Sequence, residues 1–498
     1  MRWRSSRVDS YAGGERVSRD TDSAQSSKSF GSLADGLSED RAGLIVRGGT
    51  IVLESEMLRA DVVIEGGRVE ALTAPDHWLR HEAEVLDATG CLVLPGAVDV
   101  HTHVGLSFGE FTTRDDFAAA TRAASLGGTT TILEFAIPNE GETPMEAIER
   151  RMISAAEVCY VDYGFHACVA RSADQTSLQD IERAADIGVT SVKVFTAYRG
   201  IVMLELGDVQ AVMQAAARSG STVMVHAETE SLVERAIEDL GAADSLHPRN
   251  LPRARPPEVE LDAARSVLGL AATADCTVYL VHVTLPEVAD EIARARGNGI
   301  AAFGESCPHY LLLDDSCYET NDPHLFVCSP PIRPAGTAQE LWSRLGQLTG
   351  VHSDHCCFDS SQKVQYGHDL RLIPPGLPGI QTRLPVMLSE ALKGRMALTE
   401  LVRLCASEPA RLFGIAGKGS LLPGYDADVV VVRPDATTKV REGLDMDTDY
   451  CPFDGRLLQG RIDIVISKGS VLVADGKWAE AQPNGAFLKR ARRPRRTR

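Results

Sequence analysis

The sequence predicts an α/β fold: a (β/α)8 barrel of the TIM type with a small β-sandwich domain formed from both chain ends. Two observations predict it. Eight apolar strand candidates alternate with helical patterns over about 300 residues, which favours a closed barrel over an open doubly wound sheet. Alternating β-type segments with Gly-Gly turns flank this region on both sides. No nucleotide-binding glycine fingerprint follows the first barrel strand.

Changes in composition along the chain predict five segments. Residues 1–41 are rich in Ser, Arg, Asp and Gly, which predicts a disordered N-terminal extension. Residues 42–95 are predicted to form the first part of the sandwich, and residues 416–480 the second part. The barrel is predicted to lie between them, over residues 96–415. Residues 481–498, which end in LKRARRPRRTR, are interpreted as a basic, solvated tail.

The barrel prediction assigns a strand to each of eight apolar segments. In chain order they are GAVDVHTHV, TTTILEFAIP, YGFHACVA, TSVKVFTAY, STVMVHAE, TVYLVHVT, IAAFGESCPH and VHSDHCC. Helical patterns such as DVQAVMQAAARSG stand between most of them and commonly end at glycine, which favours a helix C-terminus. In a barrel of this kind the active site forms at the carboxyl ends of the strands.

Composition excludes several classes of function. The chain has 498 residues and a formal net charge of −18, and this charge argues against a nucleic-acid partner. No apolar run reaches the roughly 20 residues that span a bilayer, so no membrane partner is expected. The N-terminus lacks the apolar stretch of a secretion signal. Eleven cysteines without paired spacing indicate reduced thiols, and we therefore expect a cytoplasmic protein.

Polar side chains of metal-binding types collect at the predicted strand ends. His101 and His103 end the first strand, and their two-residue spacing places both imidazoles on one face. His226, His282 and Asp354 end strands five, six and eight. A single histidine at a strand end is usually structural, but packing alone does not explain the whole set. Imidazole and carboxylate together suit zinc, and also manganese, iron or nickel.

Lys193 stands in the middle of the apolar strand TSVKVFTAY, where an unpaired ammonium would cost several kcal/mol. In one interpretation its amine simply reaches the polar strand end. In the other, metal ions and apolar walls lower its pKa, and the amine adds CO2 to become a carbamate. Such an anion could bridge two metals roughly 3.5–4 Å apart.

At this point the sequence resembles a known family. The motifs PGAVDVHTHV, SVKVFTAY, VHAE, VHVT and SDHCCF resemble the metal motifs of the cyclic amidohydrolases, in the amidohydrolase superfamily. The nearest branch is that of dihydropyrimidinase, or hydantoinase. Further resemblance lies in CPHYLLLDDSCYE, CSPPIR and ASEPARLFGIAGKGSLLPGYDADVVV. The resemblance covers nearly everything from Gly43 to Arg490, and the ordered set of motifs is specific where the two histidines alone are not.

The resemblance implies a metal-dependent hydrolase that opens the cyclic amide bond of a dihydropyrimidine or a 5-substituted hydantoin through a metal-bridging hydroxide. It implies two divalent ions, expected to be Zn²⁺, a small cyclic amide or imide substrate, and a homotetramer. The metal ligands that it implies are His101, His103, Lys193, His226, His282 and Asp354. Lys193 would be modified to the bridging carbamate, formed from CO2.

The resemblance also implies roles in catalysis and substrate binding. Asp354 would take a proton from the hydroxide and pass it to the leaving nitrogen. Tyr198 would bind the substrate and donate to the developing oxyanion. Ser329 would pair through its backbone with the imide edge of the substrate. Pro375 departs from the pattern, because it stands where relatives usually carry a substrate-contacting Asn; it either alters ring recognition or is a harmless loop variant.

Three alternatives bear on this assignment. Dihydroorotase typically has an arginine soon after the histidine pair, where this chain has Val104 and Gly105, so a ring carboxylate loses its expected partner. Allantoinase would have the same metal residues and stays open. A non-catalytic dihydropyrimidinase-like assembly protein would lack the metal ligands, all of which this chain retains.

Overall fold

The structure is a computed structural model that describes residues 43–75, 83–241, 243–441 and 444–493. The predicted extension over residues 1–41 lies outside the described residues. Within the described ranges, none of the helices combines the length and the apolar character that a membrane crossing requires.

The strands, in chain order, are β1 (Leu44–Arg47), β2 (Thr50–Val52), β3 (Met57–Arg59), β4 (Asp61–Glu65), β5 (Arg68–Thr73), β6 (Glu84–Asp87), β7 (Leu92–Pro95), β8 (Ala97–His103), β9 (Ser107–Phe108), β10 (Phe111–Thr112), β11 (Thr129–Ala136), β12 (Asp162–Cys168), β13 (Ser191–Phe195), β14 (Thr222–His226), β15 (Thr277–Leu280), β16 (Ala302–Ser306), β17 (Gly350–Val351), β18 (His355–Cys356), β19 (Val429–Lys439), β20 (Leu457–Ser467), β21 (Ser470–Ala474) and β22 (Lys477–Trp478).

The α-helices are α1 (Phe117–Leu126), α2 (Pro144–Ala155), α3 (Gln175–Asp186), α4 (Leu206–Ser219), α5 (Glu230–Leu240), α6 (Leu251–Ala254), α7 (Pro257–Ala274), α8 (Pro286–Gly297), α9 (Pro308–Leu312), α10 (Thr337–Ser343), α11 (Ser360–Val364), α12 (Arg383–Leu392), α13 (Leu398–Val402) and α14 (Glu408–Leu412). A π-helical turn over Arg403–Ser407 joins the last two helices.

Parallel strands form the barrel in the order β8, β11, β12, β13, β14, β15, β16 and a split eighth strand. The eighth strand consists of β17, which pairs with β16, and β18, which pairs with β8, so it closes the ring. Most barrel strands are buried along their whole length, as the near-continuous apolar segments of the sequence require. The predicted barrel is confirmed.

Two further sheets form the accessory domain: the first takes all its strands from residues 44–87, and the second combines strands from both chain ends. A four-stranded sheet has the order β5-β4-β1-β6, and a seven-stranded sheet has the order β22-β21-β20-β19-β7-β2-β3. The two chain ends meet where β19 pairs antiparallel with β7, with Val429 opposite Pro95 and Val432 opposite Leu92. The prediction that both ends of the chain build one accessory β domain is confirmed.

The helices start and stop at residues that favour helix ends. The Asp116 carboxylate accepts from the Ala119 amide at 2.8 Å at the start of α1. Thr143 and Glu146 form a reciprocal capping box on α2. Helix α4 ends at Gly220, whose φ of 71° is the left-handed conformation that favours glycine. These local signals fix the helix bounds between the barrel strands.

A buried lysine connects the accessory domain to the barrel. The Lys418 Nζ lies 2.7 Å from Asp162, 3.1 Å from Asp426 and 2.9 Å from Asp428. Asp162 begins β12 of the barrel, whereas the other two carboxylates stand just before β19. Burial alone would lower the pKa of Lys418, but the carboxylates raise it, so the amine stays charged. The ion cluster therefore joins the two parts of the fold through a compensated charge.

The C-terminal segment corrects one expectation. Arg490 is 4% exposed, and its guanidinium donates to the Ser191 Oγ at 2.8 Å and to the Phe165 carbonyl. The Arg493 amide donates to the Gly220 carbonyl at 3.1 Å. The interpretation of this segment as a solvated tail is wrong up to residue 493, because its arginine side chain and backbone bind the barrel. Residues 494–498 lie outside the described part of the chain.

Candidate active site

One cavity at the carboxyl ends of the barrel strands contains every site residue that the sequence predicts. Its volume is about 410 Å³. Parallel strands present their carboxyl ends at one face of the barrel, so residues far apart in the chain converge there. The predicted residues that line the cavity are His101, His103, Lys193, Tyr198, His226, His282, Ser329, Asp354 and Pro375.

The first strand and the break in the eighth strand form one group of donors. The Asp354 Oδ1 lies 3.0 Å from the His101 Nε2 and 3.4 Å from the His103 Nε2. Asp354 follows β17 with a φ of 47°, a left-handed conformation that turns its carboxylate toward the histidines. One ligand atom from each of these residues lies within 4.8 Å of the others, a spacing that suits one metal ion.

A second pair of imidazoles comes from the fifth and sixth strands. The His226 Nδ1 lies 2.9 Å from the His282 Nε2. Burial lowers the pKa of His226, and it lowers that of His282 well below its usual value, so both rings are neutral near pH 7. Neutral imidazole is the form that binds metal ions.

Lys193 on the fourth strand lines the same cavity as these two groups. Its side chain is 1% exposed, and its Nζ lies 4.7 Å from the ring centre of Phe135 and 4.9 Å from that of Phe195. Burial lowers its pKa to about 8, although Asp354 and Glu305 oppose the shift. The amine is therefore far closer to its neutral, nucleophilic form than an exposed lysine is at the same pH.

Two carboxylates behind the histidines were missed by sequence reasoning. Glu305 on β16 is fully buried and contacts the His101 Nδ1. Burial alone would raise the pKa of Glu305, but His101 lowers it below its usual value. Glu228 lies 2.8 Å from the His226 Nε2 and also pairs with Arg255. A signal existed for both, since IAAFGESCPH and VHAE place each glutamate at a predicted strand end.

Tyr198 and Ser329 meet on one side of the cavity. The Tyr198 ring centre lies 5.3 Å from that of His226, and the Arg255 Cζ lies 5.1 Å from the tyrosine ring centre. The hydroxyl of Tyr198 shares a hydrogen bond with Ser329. Burial raises the pKa of Tyr198, so the hydroxyl keeps its proton and can donate.

The segment that carries Ser329 and the loop that carries Pro375 share one anchor. The Val327 carbonyl accepts from the Gly376 amide at 3.0 Å and from the Lys363 Nζ at 2.7 Å. Because this carbonyl fixes both segments, a change in one loop is expected to move the other wall of the cavity.

The donor set fits divalent metal ions. His101 and His226 each turn one ring nitrogen to a carboxylate and the other toward the cavity, an arrangement that orients metal-binding imidazoles. The ring nitrogens that face other members of the donor set are Nε2 in His101, His103 and His282 and Nδ1 in His226. Imidazole nitrogens and a carboxylate oxygen at such short separations are the donors that zinc takes.

Comparisons with known proteins agree with this geometry. Residues 92–472 match the Amidohydrolase family. The chain is 36% identical over 458 residues to D-hydantoinase of Streptomyces coelicolor, and the alignment covers 90% of this chain and 98% of that protein. It is 35% identical over 461 residues to D-hydantoinase of Geobacillus stearothermophilus, with 90% and 96% covered. The crystal structure of dihydropyrimidinase from Brevibacillus agri NCHU1002 superposes with a TM-score of 0.88 at 35% identity, covering 91% of this chain and 100% of that one.

Fold, cavity and relatives define a barrel hydrolase of the amidohydrolase class. Within that class the chain belongs to the cyclic amidohydrolase family of hydantoinases and dihydropyrimidinases, and it is a hydrolase acting on cyclic amides.

The contact between Glu305 and His101 generates a prediction about metal binding. Glu305→Gln removes the charged acceptor that orients the imidazole, so affinity for a divalent metal ion should fall by about 10- to 100-fold. Competition with a chelator measures this affinity. Glu287→Gln makes the same change at an exposed position on α8 and should leave the affinity unchanged. Equal affinities of the two variants would contradict the role of Glu305.

Proposed function

We propose that the chain is a metal-dependent enzyme that hydrolyses the cyclic amide bond of a dihydropyrimidine or a 5-substituted hydantoin. The observation that carries the proposal is the convergence of two imidazole pairs, a carboxylate and a buried lysine on one cavity of about 410 Å³. The relatives named D-hydantoinase and dihydropyrimidinase support this substrate class.

Two Zn²⁺ ions are proposed for the site. His101, His103 and Asp354 would hold one ion, and His226 and His282 would hold the other. When bound, such ions lower the pKa of water and polarise a carbonyl oxygen. Lys193 would hold both as a carbamate: its neutral amine forms an N–C bond to CO2 and loses a proton, which leaves a carboxylate anion.

Asp354 is proposed to move the proton of the reaction. Burial alone would raise its pKa, but the neighbouring His101 and His103 hold the pKa well below its usual value, so the group is a carboxylate. A carboxylate in this position can accept a proton from the attacking water and return it to the ring nitrogen as the C–N bond breaks.

Tyr198 and Ser329 are proposed to bind the ring. The protonated hydroxyl of Tyr198 would donate to the amide oxygen as negative charge develops on it, which stabilises the transition state more than the ground state. The backbone of Ser329 would pair with the imide edge, so the scissile carbonyl faces the metal-binding residues. Pro375 would limit the contacts on the other side of this edge, because it offers neither an N–H nor a side-chain amide.

We also propose a cytoplasmic enzyme and a homotetramer. All eleven cysteines are buried free thiols, which supports a reducing compartment. Association into a tetramer would cover apolar side chains that one copy leaves exposed, among them Ile153 at 78% and Leu457 at 63%.

A panel of rings tests the proposed function. Dihydrouracil or a 5-substituted hydantoin should be opened much faster than dihydroorotate, because Val104 and Gly105 place no cation where a carboxylate on the ring would need one. Initial rates with the zinc-loaded protein, for these rings and allantoin side by side, measure the preference. Dihydroorotate or allantoin as the best substrate would overturn the proposed ring class, and a metal-free, inactive protein would favour an assembly role.

The carbamate makes a separate prediction for Lys193. Loss of a group that only orients a metal ligand lowers metal affinity by about 10- to 100-fold. Lys193→Ala should lower zinc affinity by more than this and should lose most of the activity. Short carboxylic acids should partly restore both, because they supply the missing carboxylate. Metal analysis and rates measure the effect, with Lys477→Ala as an exposed control. Normal metal content and full activity in Lys193→Ala would exclude the carbamate.

Pro375 makes a prediction about selectivity. Pro375→Asn restores an amide to the cavity, and one hydrogen bond to the substrate is worth about 0.5–1.5 kcal/mol, or roughly three- to tenfold in kcat/KM. Efficiency on dihydrouracil should rise by this factor, while bulky 5-substituted hydantoins should change little. The same change on both substrates would mean that the residue only shapes the loop.

A further inference from the structure

We propose that the cavity contains a subsite for an anionic group at the end of the ring substituent, and that Arg171 is its specificity-determining residue. The inference rests on the proposed function and narrows its substrate class. The preferred rings would be hydantoins whose 5-substituent is a short alkyl chain that ends in a carboxylate.

Arg171 lines the cavity three residues beyond the end of β12. Its Nη1 donates to the carbonyls of Pro138 at 3.2 Å and Asn139 at 3.4 Å. Among the described residues, no carboxylate lies within the 4.0 Å ion-pair distance of its guanidinium. The fork of donors leaves Nε and Nη2 for a ligand, and this fork matches a carboxylate in a bidentate geometry.

The other two arginines of the cavity wall differ from Arg171 in one respect. Arg150 lies 2.8 Å from Glu142, and Arg151 lies 3.2 Å from Glu134, so each has a carboxylate partner. Arg151 is also buried, at 7% exposed. Of the three arginines that line the cavity, Arg171 is thus the one that is exposed and has no carboxylate within ion-pair distance among the described residues.

The surroundings hold Arg171 in place before a ligand arrives. The Arg150 Nη2 donates to the Ile137 carbonyl at 3.0 Å, and the Asn139 amide donates to Glu142 at 2.8 Å. These bonds fix the loop whose carbonyls bind the guanidinium. Arg171 itself has a φ of 69°, a conformation that is uncommon for residues other than glycine and that clusters at functional sites.

Arg171 lies beside the loop that follows the fourth strand, since its amide donates to the Val202 carbonyl at 3.5 Å. Ile137, Ile201 and Val202 line this side of the cavity. An apolar wall that leads to a cation suits an alkyl chain with a terminal carboxylate.

Glu140 is the acidic residue to weigh against this assignment. It lines the same cavity, but it forms no ion pair with Arg171, so it does not neutralise the guanidinium. Dihydroorotate does not fit the subsite either, because its carboxylate is attached directly to the ring, whereas Arg171 is exposed at the rim.

The test compares two rings of the same shape, 5-(2-carboxyethyl)hydantoin and its neutral carboxamide. The zinc-loaded protein should prefer the acid. Arg171→Gln should lower kcat/KM on the acid by about tenfold to hundredfold, the range of a hydrogen bond to a charged group, and leave the amide within about twofold. Arg171→Lys should keep part of the preference. Arg218→Gln, an equal charge change on α4 outside the cavity, should alter neither substrate.

Two results would overturn the inference: equal losses on both rings in Arg171→Gln, or the same loss on the acid in Arg218→Gln. If the protein opens neither these two rings nor dihydrouracil, the proposed function fails, and titration calorimetry with the same two hydantoins still decides the subsite. Tighter binding of the acid that disappears in Arg171→Gln supports the subsite, and equal binding of acid and amide excludes it.

Discussion

The geometry of the active site depends on a break in the eighth barrel strand. β17 ends at Val351 and β18 begins at His355, and the residues between them turn Asp354 into a left-handed conformation. Continuous pairing would hold this residue in an extended backbone, whereas the break lets one carboxylate oxygen face both His101 and His103. The break removes backbone hydrogen bonds between the eighth strand and the first, and other groups must replace them.

Buried side chains join the first and eighth strands at this break, which we call the seam. Arg383, which is fully buried, donates to the carbonyls of Val98 at 3.2 Å and Val351 at 3.0 Å, one on each strand. Asp99 lies 3.4 Å from the Arg383 Nε and accepts from the Ser353 amide at 3.2 Å. Burial alone would raise the pKa of Asp99, but Arg383 lowers it, so the pair stays ionised. This buried network of opposite charges thus replaces the missing backbone hydrogen bonds between the two strands. It holds the residues around Asp354 in place.

The periodic part of this arrangement could be predicted from the sequence, and the seam could not. Apolar strands are readable because burial on both faces demands continuous apolar residues, and histidines at their ends are readable because topology brings those ends together. Arg383 lies in a helical segment, and its role arises only where the first and eighth strands meet. Arg171 was missed for a related reason: it follows its strand by three residues, and sequence reasoning looked for a cation only beside His103. The prediction of a solvated C-terminal tail was wrong because Arg490 binds barrel groups that are distant in the sequence, and no local pattern reveals such contacts.

Burial divides the charges of the cavity into two kinds. At its floor the dielectric constant is low, and an unpaired ion would be too costly, so Asp354, Glu305 and Glu228 each face cationic or imidazole partners. A cation that selects a substrate must be unpaired until the substrate binds. Solvation stabilises such a cation near water, and Arg171 occupies an exposed position of this kind. The chemistry of the floor and the selectivity of the rim then lie on different elements, so a loop can change the preferred substituent without disturbing the residues that would hold the metal.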